Sequence, residues 1–167
     1  MASQCDQLGI PKHLHKNGRG QDENFSKTEK LFRRINPDGF LPNGHISSQC
    51  LSVNDMSLNR GRYSKFPEDV LYDIKKGEHF VFFGIIEIEV GFVESPSYDH
   101  PEKESCVYTF KMKHEPEECM YPHSVLQILL NQKKAESKKG MPKRLRSLFR
   151  DELRTNCIIV KMPQDGA

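Results

Sequence analysis

Seven side chains of chemical interest fall in two stretches of the sequence. LFRRINPDGFLPNGHISSQCLSVNDMSLNR, residues 31–60, carries Arg33, Arg34, Ser47, Ser48, Ser57 and Arg60, and YPHS, residues 121–124, carries His123. Guanidinium groups take phosphate or carboxylate bidentately and do not shed their charge by losing a proton. Serine hydroxyls beside glycine-rich turns donate to phosphate oxygens, and they also cap turns and backbone ends. An imidazole titrates near neutrality and so can take or give a proton. Gathered round one anion-sized hollow, these groups suit phosphodiester or nucleotide chemistry. The expected catalytic set is His123, Arg33 and Ser48, with Arg34, Ser47, Ser57 and Arg60 gripping phosphate. Each group also has a plainer reading: exposed or ion-paired arginines, capping serines, a histidine donating to a loop carbonyl. Asn54, Asp55 and Asn59 add donors and acceptors to the neighbourhood.

The elements that must position these groups are unevenly legible. Residues 1–27 are polar and rich in Gly, Asn, Gln, Lys and His, and read as a mostly disordered tail with a short contact near Leu8 and Ile10. TEKLFRRI, residues 28–35, fits a helix with Leu31, Phe32 and Ile35 on one face, or a strand with Leu31, Arg33 and Ile35 opposite Phe32 and Arg34. In the strand reading one guanidinium lies on the core side and needs an anionic partner, either Glu87 or Glu89 or a ligand phosphate. NPDG is a strong turn, and PNGHISS feeds a short strand around His45 to Cys50.

FPEDVLYDIKKG reads as a helix, with Pro67 at its start and Gly77 at its end. HFVFFGIIEIEVGFV reads as a central strand, SCVYTFKMKH as an antiparallel neighbour, and PHSVLQILL as a strand or the start of a helix. MPKRLRSLFRDELRTN has the best helical periodicity, through Leu145, Leu148, Phe149 and Leu153, and CIIVKMP closes as a strand. The expectation is an α+β fold: residues 28–163 as a single domain with a mixed, largely antiparallel sheet, a few helices and a loop-rich first half, then a C-terminal tail at 164–167.

Composition narrows the partners. The 167 residues carry a net charge of +2, but Lys133–Arg154 holds nine bases against three acids, leaving the remainder at −4. In a helix, Lys143, Arg146, Arg150 and Arg154 fall near one another and form a face for a nucleic-acid backbone or an acidic protein partner. That face has no aromatic side chains to stack bases, which favours duplex or structured RNA over single strands. Five widely spaced cysteines form no zinc spacing and no visible disulfide framework, no apolar run reaches membrane length, and a reducing cytosol is expected. The group His114, Glu117, Glu118, Cys119 and His123 matches no standard zinc arrangement, so neither a metal nor a cofactor is expected.

LFRRINPDGF, GHISSQC, DMSLNR and YPHS resemble a family of small bacterial and phage-associated proteins that carry an R-R-I motif, a G-x-I-S-S motif, an L-S-V-type motif and a downstream P-x-H. The resemblance covers mainly residues 31–60 and 121–130, under a third of the chain. It implies family-like positions at Arg33, Arg34, Ser47, Ser48, Ser57, Arg60 and His123, and no mechanism, since no activity is established for that family. The chain departs from the pattern in its longer N-terminal tail and its basic C-terminal helix.

Three functions are expected candidates. The first is a nucleotide- or nucleic-acid-handling protein, a toxin or defence effector, with nuclease or nucleotide-transferase chemistry if it is an enzyme. The second is a non-enzymatic binding module, such as an antitoxin, inhibitor or accessory subunit, that uses the basic helix. The third is an ADP-ribosyltransferase-like enzyme that combines Arg33, Ser47 and Ser48 with Glu87 or Glu89.

Overall fold

Residues 28–35 resolve as a strand, and the sheet grows outward from it. The computed structural model describes residues 1–53, 55–135 and 140–164; Asn54, Lys138, Lys139 and most of the expected tail at 164–167 lie outside the described residues. In chain order the elements are α1 (Gln4–Gln7), β1 (Lys30–Ile35), β2 (Met56–Arg60), β3 (Tyr72–Asp73), β4 (Glu78–His79), β5 (Gly84–Glu89), α2 (Val90–Glu94), β6 (Tyr98–Asp99), β7 (Val107–His114), β8 (His123–Leu130), β9 (Lys133–Lys134), α3 (Lys143–Asn156) and β10 (Ile158–Lys161).

One curled sheet runs β10-β5-β1-β2-β8-β7-β6, with β9 beside β8, and β3 and β4 form a separate hairpin. Every strand pair among the described residues is antiparallel, so the fold is α+β without the parallel pairs that a mixed sheet would hold. The main core lies between one sheet face and α3. It joins Leu31, Ile35, Leu58, Ile86, Tyr108 and Met112 to Leu145, Phe149 and Leu153 of the helix. The Phe110 and Phe149 rings stack there at 3.6 Å between centroids. Leu148, expected on the buried stripe, is exposed, because the helix turns only a narrow face inward.

Two expectations fail for physical reasons. FPEDVLYDIKKG is a 3₁₀ turn, Pro67–Leu71, followed by the β3–β4 hairpin. Helix carbonyls would accept amides four residues on, but here Val70 O and Tyr72 O accept from Arg34 Nη1 at 3.3 and 3.1 Å. Gly77 completes the hairpin at φ +65°, a conformation that L side chains rarely adopt. Residues 40–50 form an isolated bridge, Phe40 to Ile46, and a 3₁₀ turn, Ser48–Cys50, in place of a strand.

The expected disordered tail is folded against the sheet. Cys5, Ile10 and Leu14 are buried with Cys119 and Met120, and a Cys5–Cys119 disulfide spans 114 residues. Backbone hydrogen bonds join Lys16 N to Glu118 O and Tyr121 N to Leu14 O, both at 2.7 Å. Three apolar side chains, one covalent bond and these paired amides hold a segment whose overall composition is polar. No helix among the described residues is long and apolar enough to cross a membrane.

Candidate functional site

The sheet splits at its centre. β1 and β2 pair only at Leu31 with Arg60 and at Phe32 with Asn59. Beyond that point Arg33–Ile35 pair only with β5, while Met56–Leu58 pair only with β8. A cavity of about 620 Å³ opens in the fork, a size that suits a small-molecule ligand. Its walls carry Arg33, Arg34 and Asn36 from one arm, Ser57 and Asn59 from the other, and Gln49 and Cys50 from the connecting loop. His123 and Glu117 close one side, and Tyr72, Asp73, Ile74, Lys75 and Phe83 another.

Strand alternation explains the choice of side chains. The register places Arg34 opposite Ile85 and Arg33 opposite Ile86, so the two arginines leave opposite faces of β1. Because the ladder is broken there, Arg33 reaches across the opening. Its Nε and Nη2 donate to Cys50 O at 3.3 and 3.2 Å, and its Nη1 donates to Ser57 O at 2.8 Å. The guanidinium therefore supplies donors that a strand partner would otherwise provide.

Arg33 has five N–H groups, and these three contacts leave two without a partner among the described residues. No carboxylate pairs with it among the described residues, whereas Arg34 Nη2 lies 3.6 Å from Asp73 Oδ2. Burial, and then the neighbouring Arg34 charge, hold the Arg33 pKa below the ordinary guanidinium value. Arginine remains cationic at any working pH, so the partly buried group keeps its charge. Burial raises the Cys50 thiol pKa against the opposing pull of Arg33, which leaves that cysteine a poor nucleophile.

Ser57 and His123 meet across the β2–β8 ladder. His123 pairs with Asn59 and Val125 with Ser57, so the two side chains are diagonal neighbours on one face. Ser57 Oγ lies 2.5 Å from His123 Nε2, and His123 Nδ1 lies 2.8 Å from Glu115 O. A carbonyl only accepts, so the proton sits on Nδ1, Nε2 carries the lone pair, and the Ser57 hydroxyl donates to it. Glu117 Oε1 stands 3.7 Å from the same Nδ1.

The remaining sequence candidates lie elsewhere. Ser47 Oγ accepts from Gln49 N at 3.3 Å as the cap of the Ser48–Cys50 turn, and neither Ser47 nor Ser48 lines the cavity. Arg60 is wholly buried. It binds Glu29 bidentately, with Nε to Oε1 and Nη2 to Oε2 both at 2.8 Å, and donates to Asp22 O and Asn24 O. Its guanidinium also lies 3.9 Å from the Phe25 ring centroid, so Arg60 is a structural cation bound to the N-terminal segment.

Glu87 pairs with Lys30 at 3.1 Å, and neither Glu87 nor Glu89 lines the cavity, so the acidic member of the transferase arrangement is not beside Arg33. Lys143 and Arg154 are exposed on α3, while Arg146 and Arg150 are half-buried. The Nε atoms of Arg146 and Arg150 are buried and carry no hydrogen-bond partner among the described residues.

Of the five residues weighed as a metal group, Cys119 is in the disulfide. His114 Nδ1 accepts from Asp22 N at 2.9 Å, and its Nε2 donates to Tyr121 O at 2.7 Å. Among the described residues no group of three or more His, Cys, Asp or Glu side chains is placed to hold a metal ion.

Sequence reasoning missed Tyr72, Asp73 and Lys75, which reach the cavity only through the β3–β4 hairpin, and Phe83, which enters from the segment between β4 and β5. It also named Ser48 where the structure sets Ser57 against the imidazole. Alternation along Met56–Arg60 carried a signal for Ser57, which shares a strand face with Asn59, but nothing local named the partner strand.

Comparison with protein-family models, with curated proteins and with solved structures returned no match.

Proposed function

We propose that the fork between β1 and β2 binds the phosphate of a nucleotide or nucleic-acid ligand. The observation that carries the reading is Arg33: a half-buried guanidinium facing a cavity, with two unused N–H groups and no paired carboxylate among the described residues. A phosphate supplies the missing charge and accepts those donors in a bidentate geometry. Arg34 and Lys75 add positive charge to the same walls, and Tyr72, Ile74 and Phe83 offer an apolar surface for a base or sugar. His123, fixed as a hydrogen-bond acceptor at Nε2, is placed for proton transfer beside the bound group.

The test is a calorimetric titration of the folded protein with inorganic phosphate and with a nucleoside monophosphate. Wild type binds both, and Arg33→Gln or Arg34→Gln weakens binding by roughly 10- to 100-fold, the worth of one charge-assisted hydrogen bond. Absence of binding to folded wild-type protein at millimolar phosphate overturns the reading.

A toxin or defence role, and the likeness to small bacterial and phage-associated proteins, belong to this proposal; of the family-like positions, Arg33, Arg34, Ser57 and His123 line the cavity and Ser47, Ser48 and Arg60 do not. A cytoplasmic setting is proposed from the wide spacing of the five cysteines, and the Cys5–Cys119 bond opposes it, since such bonds persist in oxidising compartments. Blocking thiols during recovery from cells separates the two: a reduced pair fits the cytosol, and an oxidised pair does not.

A second reading, a polyanion-binding α3, is favoured by the exposed Lys143 and Arg154 on that helix. It predicts nucleic-acid affinity that the Arg33 and Arg34 variants leave unchanged.

A further inference from the structure

We propose that Ser57 is a nucleophile activated by His123, and that the protein passes through a phosphoserine intermediate at Ser57 while cleaving a phosphate ester or anhydride. This rests on the anion-site reading above and adds a covalent step to it. Five features of the geometry support the step. Ser57 is exposed on its strand and faces the cavity, so an electrophile can approach its oxygen. Its proton already points at the imidazole lone pair across 2.5 Å.

The imidazole is in turn held by a second group, Glu115 O, in the tautomer that leaves Nε2 free to accept. Glu117, at 3.7 Å from Nδ1, stands where a carboxylate stabilises the imidazolium that forms, and acts as a positioning residue. The Arg33 guanidinium touches the backbone of the nucleophile itself, through Ser57 O, which sets cationic N–H groups beside the phosphoryl oxygens.

The balance is closed without a co-reactant other than water. Ser57 Oγ forms a bond to phosphorus as the bond from phosphorus to the leaving oxygen breaks. The Ser57 proton passes to His123 Nε2 and from there to the leaving oxygen. Water then attacks the phosphoserine and gives its proton to Nε2. The P–Oγ bond breaks, the proton returns to Oγ, and phosphate is released.

The experiment treats the whole protein with diisopropyl fluorophosphate, which transfers a phosphoryl group to activated serines with loss of fluoride, and maps the adduct by mass spectrometry. The expected result is a single adduct at Ser57 that inorganic phosphate slows. Ser57→Ala abolishes it, His123→Gln slows it at least about 100-fold, and Glu117→Gln slows it while phosphate binding persists. Ser57→Ala removes only an exposed hydroxyl, so a folded variant is available even if the histidine variant is unstable.

No adduct on protein that binds phosphate overturns the nucleophile and leaves the anion site standing. An adduct at Ser57 with the same rate in folded His123→Gln overturns the activation. An adduct at Ser57 on protein that neither binds phosphate nor is protected by it overturns the anion site instead.

Discussion

Replacing Arg60 by Met separates a structural arginine from a ligand-binding one. Met keeps most of the stem volume and deletes the charge. Wild-type Arg60 has no solvent exposure, and the Glu29 side chain that it holds is only 6% exposed. The variant therefore strands a buried carboxylate, at about 3–5 kcal/mol. Asp22 O and Asn24 O lose their donor as well, which adds about 1–2 kcal/mol. The sum, roughly 4–7 kcal/mol, is a large share of a typical domain's stability.

At about 2–4 °C per kcal/mol for a chain of this size, Tm falls by roughly 10–25 °C. The assay is thermal and urea denaturation followed by circular dichroism and tyrosine fluorescence, since the chain has five Tyr and no Trp. Adding Glu29→Gln to Arg60→Met removes the stranded charge and recovers part of the loss. Phosphate affinity, measured where the variant is folded, stays at the wild-type level. A Tm within about 2 °C of wild type, or a tenfold loss of phosphate binding at unchanged stability, refutes the structural assignment.

Other consequences follow from groups outside the fork. Burial lowers the His114 pKa from its ordinary value, and Nδ1 accepts the Asp22 N–H, so the folded state prefers the neutral ring. The unfolded chain then binds the extra proton first, so this contribution is complete above about pH 6.5 and is lost as pH falls below it. NMR titration of the His114 ring checks the sign, since a midpoint at or above about 6.5 contradicts it.

Reducing the Cys5–Cys119 bond frees a loop of 114 residues and costs about 5 kcal/mol in the chain-entropy account. Urea midpoints of wild type and Cys5→Ser/Cys119→Ser that coincide contradict that account. If α3 binds duplex RNA through Lys143, Arg146, Arg150 and Arg154, log affinity falls against log salt with a slope of roughly −3 to −4. Filter binding that shows no salt dependence removes that reading.

What the sequence disclosed depended on how local each determinant was. The periodicity of Leu145, Phe149 and Leu153 is written within one segment, and α3 formed where it pointed. The Ile86–Val90 alternation marked β5 as far as Glu89, after which the chain turns into α2. The doubt over residues 28–35 was resolved by pairing, because β5 takes all six residues of β1 as partners. Non-local facts were hidden. Nothing near Arg33 or Arg60 says which guanidinium meets a buried Glu29 and which is left facing a cavity.

The contact between Ser57 and His123 spans 66 residues and depends on the β2–β8 register. Ser47 and Ser48 looked the stronger pair because they adjoin turn residues, and turn capping is where Ser47 ended. The N-terminal segment was misread because average polarity outweighed the anchors Ile10 and Leu14 and a cysteine whose partner lies far along the chain.

The central proposal is that an anion engages the Arg33 donors that no hydrogen bond uses among the described residues. Its most direct test follows the guanidinium ¹⁵Nε resonances of all arginines while inorganic phosphate, then a nucleoside monophosphate, is titrated into wild-type protein. Saturable shifts at Arg33 and Arg34, with Arg60 unmoved inside its Glu29 pair, are the predicted result. Shifts confined to the arginines of α3, or none at any arginine, contradict it.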